Sequence, residues 1–298
     1  MREGAEWLSL CGVPTPRLDA ELLLAIVLGT GRGRLVTMGR ESLGVEQRER
    51  YGSLLRERGE RRVPVQYLTG AQEFFSLEFR VDSRVLVPRP ETELLVEELL
   101  AFRRAEIAAG RSVALVADVG TGSACIAVAL AVTCPDRRIG ENQGLALDPG
   151  LKVVATDISS GALQVAAENV RRHGVADRVA LVATDILAAL SEGGGFDAII
   201  CNPPYVAEEE LEGLQIEVRG HEPRVALAGG HDGLEFYRKL VPQAAARLRE
   251  GGLLAVELAA LRAEPVREML ACGPWRDADF RKDHQGIPRV LSARRSGP

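Results

Sequence analysis

The feature that most limits the fold of this chain is the alternation of short apolar runs with helical stretches after residue 112. Each run precedes a turn or helix signal, and the runs are 113–119, 152–156, 179–183, 197–201 and 253–258. This βαβα order is typical of a parallel sheet covered by helices on both faces. The ligand crevice of such a sheet lies at the carboxyl ends of its central strands. The sequence therefore predicts an α/β fold for its C-terminal part.

The first 70 residues are predicted to be helical. One helix face is apolar before a stop at Gly29, and it carries Leu18, Leu22, Leu23, Leu24, Ala25 and Leu28. A second segment, Val45 to Arg62, has one narrow apolar face and one charged face. Such a small bundle either docks a partner or caps the larger domain, and the pattern alone leaves both readings open.

Between Val63 and Pro90 the apolar pattern changes to period two, which predicts a β-hairpin. The alternating apolar residues are Phe74, Phe75, Leu77, Phe79, Val81, Val85 and Val87. Pro88 and Pro90 then block further strand pairing, because proline lacks the backbone donor that a ladder needs. We therefore expect a helical domain over 1–72, a hairpin linker over 73–90 and an α/β domain over 91–298.

Composition excludes several classes of protein. The net charge of −5 argues against a protein held on nucleic acid by bulk positive charge. The five cysteines form no Cys-x-x-Cys pair and the four histidines are far apart, so we expect neither a disulfide framework nor a metal site. No leader-like or membrane-spanning apolar run is present, so we expect a cytoplasmic protein.

Three predicted strands end in residues that could build one site. The first strand is followed by Gly120, Thr121, Gly122, Ser123 and Ala124. Glycines there let the backbone approach a ligand, and the following helix offers free N–H groups. A Gly-x-Gly sequence alone also fits a simple tight turn.

One acidic residue ends the second predicted strand, and another follows the third. Asp157 could accept both ribose hydroxyls of an adenosine-containing cofactor, or it could be an ordinary acid before a helix. Asp185 is a weaker analogue, suited to an adenine amino group or to a turn. The glycine-rich stretch 140–150 is read as an exposed loop insertion that lengthens the spacing to Asp157.

The third segment, Asn202-Pro203-Pro204-Tyr205, follows a buried strand and carries the most information. The two prolines make the turn rigid and leave carbonyls free to accept hydrogen bonds. The Asn202 side chain adds an acceptor oxygen, and the Tyr205 ring adds a flat face. This combination suits the gripping of a planar amino group, such as that of an amide or an adenine.

Together these segments resemble the class I S-adenosylmethionine-dependent methyltransferases, and more closely the bacterial protein-glutamine methyltransferases that act on peptide chain release factors. The match covers nearly the whole chain. Besides the glycine and Asn-Pro-Pro-Tyr segments, it is carried by residues 16–21, 64–70, 87–93 and 222–224. Asn-Pro-Pro-Tyr is shared with DNA adenine methyltransferases, whereas the Pro-Arg-Pro-Glu-Thr-Glu segment and the helical N-terminus make the narrower assignment specific.

The resemblance implies a Rossmann-like, mostly parallel seven-stranded sheet with a small N-terminal helical domain and a connecting hairpin. It implies S-adenosylmethionine as cofactor and the glutamine of the Gly-Gly-Gln loop of release factors as substrate. Cofactor binding is then expected at Gly120 to Ala124, Asp157, Asp185, Ile186 and Asn202, and substrate binding and catalysis at Asn202 to Tyr205. We expect the protein to bind neither nucleic acid directly nor a membrane. We also expect it to be a monomer.

Two residues depart from the family pattern. Ala124 stands where the family usually has a third glycine, so we expect its methyl group to lie near the cofactor. The start of a helix should tolerate this small side chain. Ile186 stands where relatives often have a larger residue against the adenine. Three other functions stay open: methylation of a ribosomal-protein glutamine, methylation of adenine N6 in a nucleic acid, and a binding protein that takes no cofactor.

Overall fold

The computed structural model of the protein describes residues 1–35, 37–38, 42–135, 150–193 and 195–297. Its helices are α1 (Arg2–Leu10), α2 (Pro16–Val27), α3 (Arg32–Leu35), α4 (Val45–Gly59), α5 (Val65–Thr69), α6 (Glu93–Ala108), α7 (Cys125–Thr133), α8 (Ser160–Arg172), α9 (Ile216–His221), α10 (Glu235–Arg247) and α11 (Ala263–Ala271). Its strands are β1 (Ala71–Phe74), β2 (Leu77–Arg80), β3 (Leu115–Val119), β4 (Lys152–Asp157), β5 (Val179–Ala183), β6 (Phe196–Cys201), β7 (Leu248–Glu257), β8 (Trp275–Lys282) and β9 (Pro288–Arg295). Among these helices none is both long and apolar enough to cross a membrane. The stretch 140–150, apart from its last residue, lies outside the described ranges.

The N-terminal residues form a small helical bundle, α1 to α5. Helix α2 begins with Pro16 at its first position, where the missing N–H costs nothing. Its buried face centres on Leu23 and packs against Tyr51 of α4, whose hydroxyl donates to the Ala20 carbonyl at 3.1 Å. Leu18, placed on the apolar face by its spacing, is 37% exposed, because the buried face is turned toward Leu23 and its neighbours.

The hairpin of β1 and β2 connects this bundle to the rest of the chain. Its turn residues Phe75 and Ser76 both have positive φ, the geometry of a two-residue turn that matches the twist of the strands. The side chain of Asn169 on α8 accepts from the Arg80 amide at 2.7 Å and donates to the Arg80 carbonyl at 3.0 Å. The hairpin is thus fixed to α8 through backbone hydrogen bonds. The period-two pattern continues past Arg80 in the sequence, but the strand ends there.

A seven-stranded sheet forms the centre of the C-terminal part, in the order β5-β4-β3-β6-β7-β9-β8. The strands from β3 to β7 are parallel to one another and are the five apolar runs of the sequence. Strand β9 pairs antiparallel with β7 and β8. One buried core lies between the sheet and α6, α7 and α8, and a second lies between the sheet and α10 and α11. The predicted mostly parallel seven-stranded fold is confirmed.

The strand order decides where a site can form. Strand β3 has β4 on one side and β6 on the other, all parallel. Their carboxyl ends therefore lie side by side at one edge of the sheet. Strand order also changes direction at β3, and such a switch point leaves a crevice that adjacent crossover connections do not fill.

Candidate active site

A cavity opens at the carboxyl ends of β3, β4 and β6, and we call it the strand-end cavity. One wall comes from the linker after the hairpin, at 84–88. The residues of the three sequence segments that line it are Gly120, Thr121, Gly122, Ser123, Asp157, Asp185, Ile186, Asn202 and Pro204. The structure therefore brings the three segments together around one space.

The glycine loop after β3 and the acid at the end of β4 are hydrogen bonded to each other. Gly120 and Gly122 have φ values of +70° and +55°, a conformation that costs glycine little. The Gly122 amide donates to Asp157 Oδ2 at 2.9 Å, and the Ser159 amide donates to Oδ1 at 2.9 Å. These bonds fix the carboxylate at the cavity wall while each oxygen keeps a further lone pair for a ligand hydroxyl.

A second cavity lies beside the first and is lined by Leu86, Arg89, Asn202, Pro203, Tyr205, Val206, Leu214, Gln215, Val218, Ala226 and Leu227. We call it the α9 cavity, because α9 and the segment before it form one wall. Asn202 lines both cavities, whereas Pro203 and Tyr205 line only the α9 cavity. Leu86 and Ala226 also line both, so the two cavities adjoin along these residues and Asn202 of the turn.

The Asn202 amide is held from inside the protein. Its Nδ2 donates to Thr92 Oγ1 at 3.1 Å, and the Thr92 hydroxyl donates to Glu257 Oε2 at 2.7 Å. Thr92 lies just before α6 and Glu257 is the last residue of β7. Since Nδ2 is bound on this side, Oδ1 is the end of the amide available to a substrate.

Glu257 is buried together with the inner side of the turn. Burial raises its pKa from 4.5 to about 7, despite the hydrogen bonds from the Thr92 and Tyr205 hydroxyls that favour the carboxylate. The Tyr205 hydroxyl lies 3.4 Å from Glu257 Oε1, and burial next to this carboxylate raises the pKa of the phenol. Tyr205 therefore stays neutral at physiological pH.

Asp118 is a second buried carboxyl group, at the end of β3 and below the glycine loop. The Thr121 hydroxyl and the Ala127 amide donate to its Oδ2 at 2.6 and 3.2 Å. Burial nonetheless raises its pKa from 3.8 to about 7. In the described part of the chain, no group of three or more His, Cys, Asp or Glu side chains is placed to hold a metal ion.

The two departures from the family pattern both have left-handed backbone conformations. Ala124 has φ +62°, is fully buried and lines neither cavity. Its methyl group packs into the core at the start of α7, not toward the space where we expected the cofactor. Ile186 has φ +57° and does line the strand-end cavity. A β-branched residue rarely adopts this conformation, and the Ile186 carbonyl is held by the Thr156 hydroxyl at 2.9 Å.

Sequence reasoning missed two residues of the site: Thr92, which is buried and lines the strand-end cavity, and Glu257, which lies behind it. In the sequence, Thr92 stands out only as part of the Pro-Arg-Pro-Glu-Thr-Glu segment that carries the family resemblance. Glu257 is an acid at the end of a buried apolar run, which is the same signal that selected Asp157. The sequence therefore could have singled out Glu257. Nothing in the sequence, however, indicates that Glu257 lies next to residues 92 and 202.

Comparison with known proteins decides the family. Residues 1–70 match the family described as the PrmC N-terminal domain, and residues 91–217 match the methyltransferase small domain. The chain is 41% identical to the release factor glutamine methyltransferase of Moorella thermoacetica over 98% of this chain and 96% of that protein. It is 39% identical to the protein of the same name from Chlorobaculum tepidum over 94% and 90%.

The chain belongs to the release factor glutamine methyltransferase family. Solved structures agree on the fold of this family member. The hMettl16 catalytic domain in complex with MAT2A 3'UTR hairpin 6 matches 85% of this chain and 82% of that one, with a TM-score of 0.53 at 18% identity. A methyltransferase from Pyrococcus furiosus matches 75% of this chain and 91% of that one, with a TM-score of 0.50 at 21% identity. At these identities the likeness confirms the class I methyltransferase fold alone.

Proposed function

We propose that this protein transfers a methyl group from S-adenosylmethionine to the side-chain nitrogen of the glutamine in the Gly-Gly-Gln motif of release factors. The observation that carries the proposal is the position of Asn202, which borders the strand-end cavity and the α9 cavity at once. A methyltransferase must bring its methyl donor and its acceptor within reach of each other, and Asn202 lies where the two cavities adjoin. The family relation supplies the identity of the acceptor.

The strand-end cavity fits S-adenosylmethionine by the chemistry of its lining. Asp157 offers a fixed carboxylate for the ribose hydroxyls, and Asp185 is available to the adenine amino group. Ile158 and Val225, which are 62% and 56% exposed, give this cavity apolar surface against which an adenine ring could pack. The loop from Gly120 to Ser123 would hold the methionine end. When bound, S-adenosylmethionine supplies an electrophilic methyl group.

In this proposal the turn activates an amide nitrogen, which is a weak nucleophile because its lone pair is delocalised into the carbonyl. Asn202 Oδ1 and the Pro203 carbonyl accept the two amide hydrogens of the substrate. Both acceptors stabilise the positive charge that develops on the nitrogen, and they orient it toward the strand-end cavity. The acceleration then comes from positioning and electrostatic complementarity, without a strong base.

The remaining residues of the turn shape the acceptor side. Pro204 lines the strand-end cavity and keeps the turn rigid, since two consecutive prolines fix their φ angles. Tyr205 lies across the α9 cavity with its hydroxyl near Glu257, so its ring is held as a flat wall against the amide plane. The methylated nitrogen releases its extra proton to water.

We also propose that residues 1–72 dock the release factor, that 73–90 link the parts and that 91–298 carry out transfer. In support, the Arg58 and Arg62 side chains donate to Glu217 of α9, which joins the helical bundle to a wall of the α9 cavity. The protein is proposed to act as a monomer in the cytoplasm, without binding nucleic acid directly.

The proposal is tested by mass spectrometry of a release factor incubated with the protein and S-adenosylmethionine. We expect one added methyl group, located by fragmentation on the Gly-Gly-Gln glutamine. A release factor in which that glutamine is alanine serves as control and should remain unmodified. Methylation instead of a ribosomal protein, or of adenine in an oligonucleotide offered in parallel, would contradict the proposal and favour one of the other methyltransferases considered above.

A further inference from the structure

The hydrogen bonds behind Asn202 suggest how its amide is oriented, an inference that rests on the function proposed above. We propose that Thr92 and Glu257 are positioning residues that fix Asn202 with Nδ2 toward the interior and Oδ1 toward the substrate nitrogen. Glu257 lines neither cavity, whereas Thr92 also lines the strand-end cavity, and both act on the reaction through Asn202. Because Thr92 borders the cofactor space, the test measures cofactor binding separately from the rate of transfer.

The orientation matters because the two ends of an asparagine amide have almost the same shape and opposite hydrogen-bonding character. With Oδ1 toward the substrate, Asn202 accepts a hydrogen from the glutamine amide. With Nδ2 there, two donors would face each other and the substrate amide would be repelled. A rotation of the Asn202 amide by half a turn would thus remove the acceptor without moving the backbone.

Thr92 sets the orientation because a hydroxyl has a single proton. That proton is donated to Glu257 Oε2 at 2.7 Å, so the Thr92 oxygen can only accept from its other neighbour. The neighbour is the Asn202 amide at 3.1 Å, and the end that can donate is Nδ2. An ionised Glu257 therefore determines the direction of both hydrogen bonds.

The position of Thr92 indicates that its hydroxyl is not needed for the helix. Thr92 occupies the residue before α6, where a threonine side chain commonly accepts a hydrogen bond from the first turn. No such cap bond is formed here. The hydroxyl is instead turned toward Glu257 and Asn202, so its interactions serve the site and not the start of α6.

Glu257 is costly to bury, which also favours a role in the site. It is 3% exposed, and burial of a carboxylate is unfavourable unless hydrogen bonds compensate for lost water. Its two oxygens face the Thr92 and Tyr205 hydroxyls. Through these groups one carboxylate holds the first and last residues of the Asn-Pro-Pro-Tyr turn.

The test is a double-mutant cycle on the full protein, with steady-state methylation of release factor as the readout, so that kcat and KM are obtained separately. Thr92→Val keeps the shape and removes the hydroxyl, and it should lower kcat by about 10- to 100-fold, as removal of outer supporting residues does at other sites. The KM for release factor and the Kd for S-adenosylmethionine from calorimetry should change by less than about threefold. Thr92→Ser should recover most of the lost activity.

The decisive comparison is made in the Asn202→Ala background, where Thr92→Val should cause no further loss, because its partner is gone. Thr69→Val, a hydrogen-bonded threonine outside both cavities, is the matched control and should leave kcat unchanged. Thermal unfolding reports on folding, and Thr92→Ala replaces Thr92→Val if the latter does not fold.

The inference is overturned if Thr92→Val keeps kcat, if it weakens only cofactor binding, or if its effect multiplies with that of Asn202→Ala. Failure of the proposed function looks different, since the unaltered protein would then not methylate release factor at all. Full activity of Thr92→Ser beside a slow Thr92→Val supports the inference through the hydroxyl itself.

Discussion

Glu217 Oε1 accepts a hydrogen bond from Arg58 Nη1 at 2.9 Å, across 159 positions of sequence. Arg58 also donates to Asp19 at 2.6 Å, so a buried chain of charges runs from the helical bundle to α9. Burial alone would raise the pKa of Glu217, but the Arg62 and Arg58 hydrogen bonds outweigh it and leave the pKa below its ordinary value. Val218, the next residue, lines the α9 cavity.

Glu217→Ala is expected to uncouple the helical bundle from this cavity wall. It leaves Arg58 and Arg62 without one carboxylate, which should lower the free energy of unfolding by about 3 kcal/mol. The KM for release factor should rise on the order of tenfold, because the wall of the acceptor cavity loses its fixed position. The Kd for S-adenosylmethionine should not change. Glu212→Ala is the control, since Glu212 pairs with Arg219 on the exposed surface.

Asp157→Ala should weaken S-adenosylmethionine binding by about 10- to 100-fold, the value of a hydrogen bond to a charged group. The carboxylate is fixed at the cavity wall by the Gly122 and Ser159 amides, so it is ready for the ribose hydroxyls. Titration calorimetry measures the Kd directly. Asp185→Ala, at an exposed position of the same cavity, should have a smaller effect. Equal losses in both variants would contradict the role given to Asp157.

Ala124→Gly tests whether the alanine methyl faces the cofactor or the core. Relief of the left-handed conformation favours glycine by about 1–2 kcal/mol. Greater freedom of the unfolded chain costs about 0.4–1 kcal/mol, and loss of one buried methyl costs about 0.8 kcal/mol. These effects nearly cancel, so the free energy of unfolding should change by less than about 1 kcal/mol in denaturant titration. Cofactor binding should be unchanged, and clearly tighter binding would show that the methyl faces the ligand.

Buried acids make stability depend on pH in a specific direction. Burial raises the pKa of Glu257 from 4.5 to about 7 and that of Asp118 from 3.8 to about 7. The folded protein therefore binds more protons than the unfolded chain between about pH 4 and pH 7. Stabilisation from these groups is full below the unfolded pKa and is lost as pH rises toward 7. For Glu257 the loss is on the order of 3 kcal/mol.

Glu257→Gln isolates the contribution of this one group, because glutamine does not titrate. The free energy of unfolding, measured between pH 5 and pH 8 with denaturant, should fall less steeply in the variant than in the unaltered protein. The charged neighbours of Glu257, Glu91 and Arg289, remain in both proteins. Identical pH dependence in the two proteins would show that Glu257 is ionised throughout this range.

The regular part of the fold could be predicted from the sequence, because the five parallel strands are short apolar runs, four of which (β3, β4, β6 and β7) are largely buried. The edge of the sheet could not. Strand β8, Trp275–Lys282, is largely exposed and alternates charges with few apolar residues, so periodicity gives no signal for it. Nor could the sequence predict which face of α2 is buried. That face is set by packing against Tyr51, which leaves Leu18 exposed and which the spacing of apolar residues within α2 does not reveal.

The site could be predicted where its residues directly follow strands, since parallel topology alone brings such positions together. That reasoning placed Asp157 and Asn202 at one cavity. It could not predict that there are two cavities. One wall of the α9 cavity comes from α9 and the segment before it, where the sequence has no periodic apolar pattern. Nor could it find the contact of Thr92 with Glu257, which joins residues 165 positions apart.

The most direct test of the account is the rate of methyl transfer to the Gly-Gly-Gln glutamine by Asn202→Ala, measured in a single turnover at saturating S-adenosylmethionine. Loss of a transition-state acceptor should slow transfer by about 10²- to 10³-fold. Cofactor binding, measured in parallel, should stay within about threefold because Asp157 and the glycine loop are intact. Transfer at the unaltered rate, or an equal loss in cofactor affinity, would contradict the central place given to Asn202.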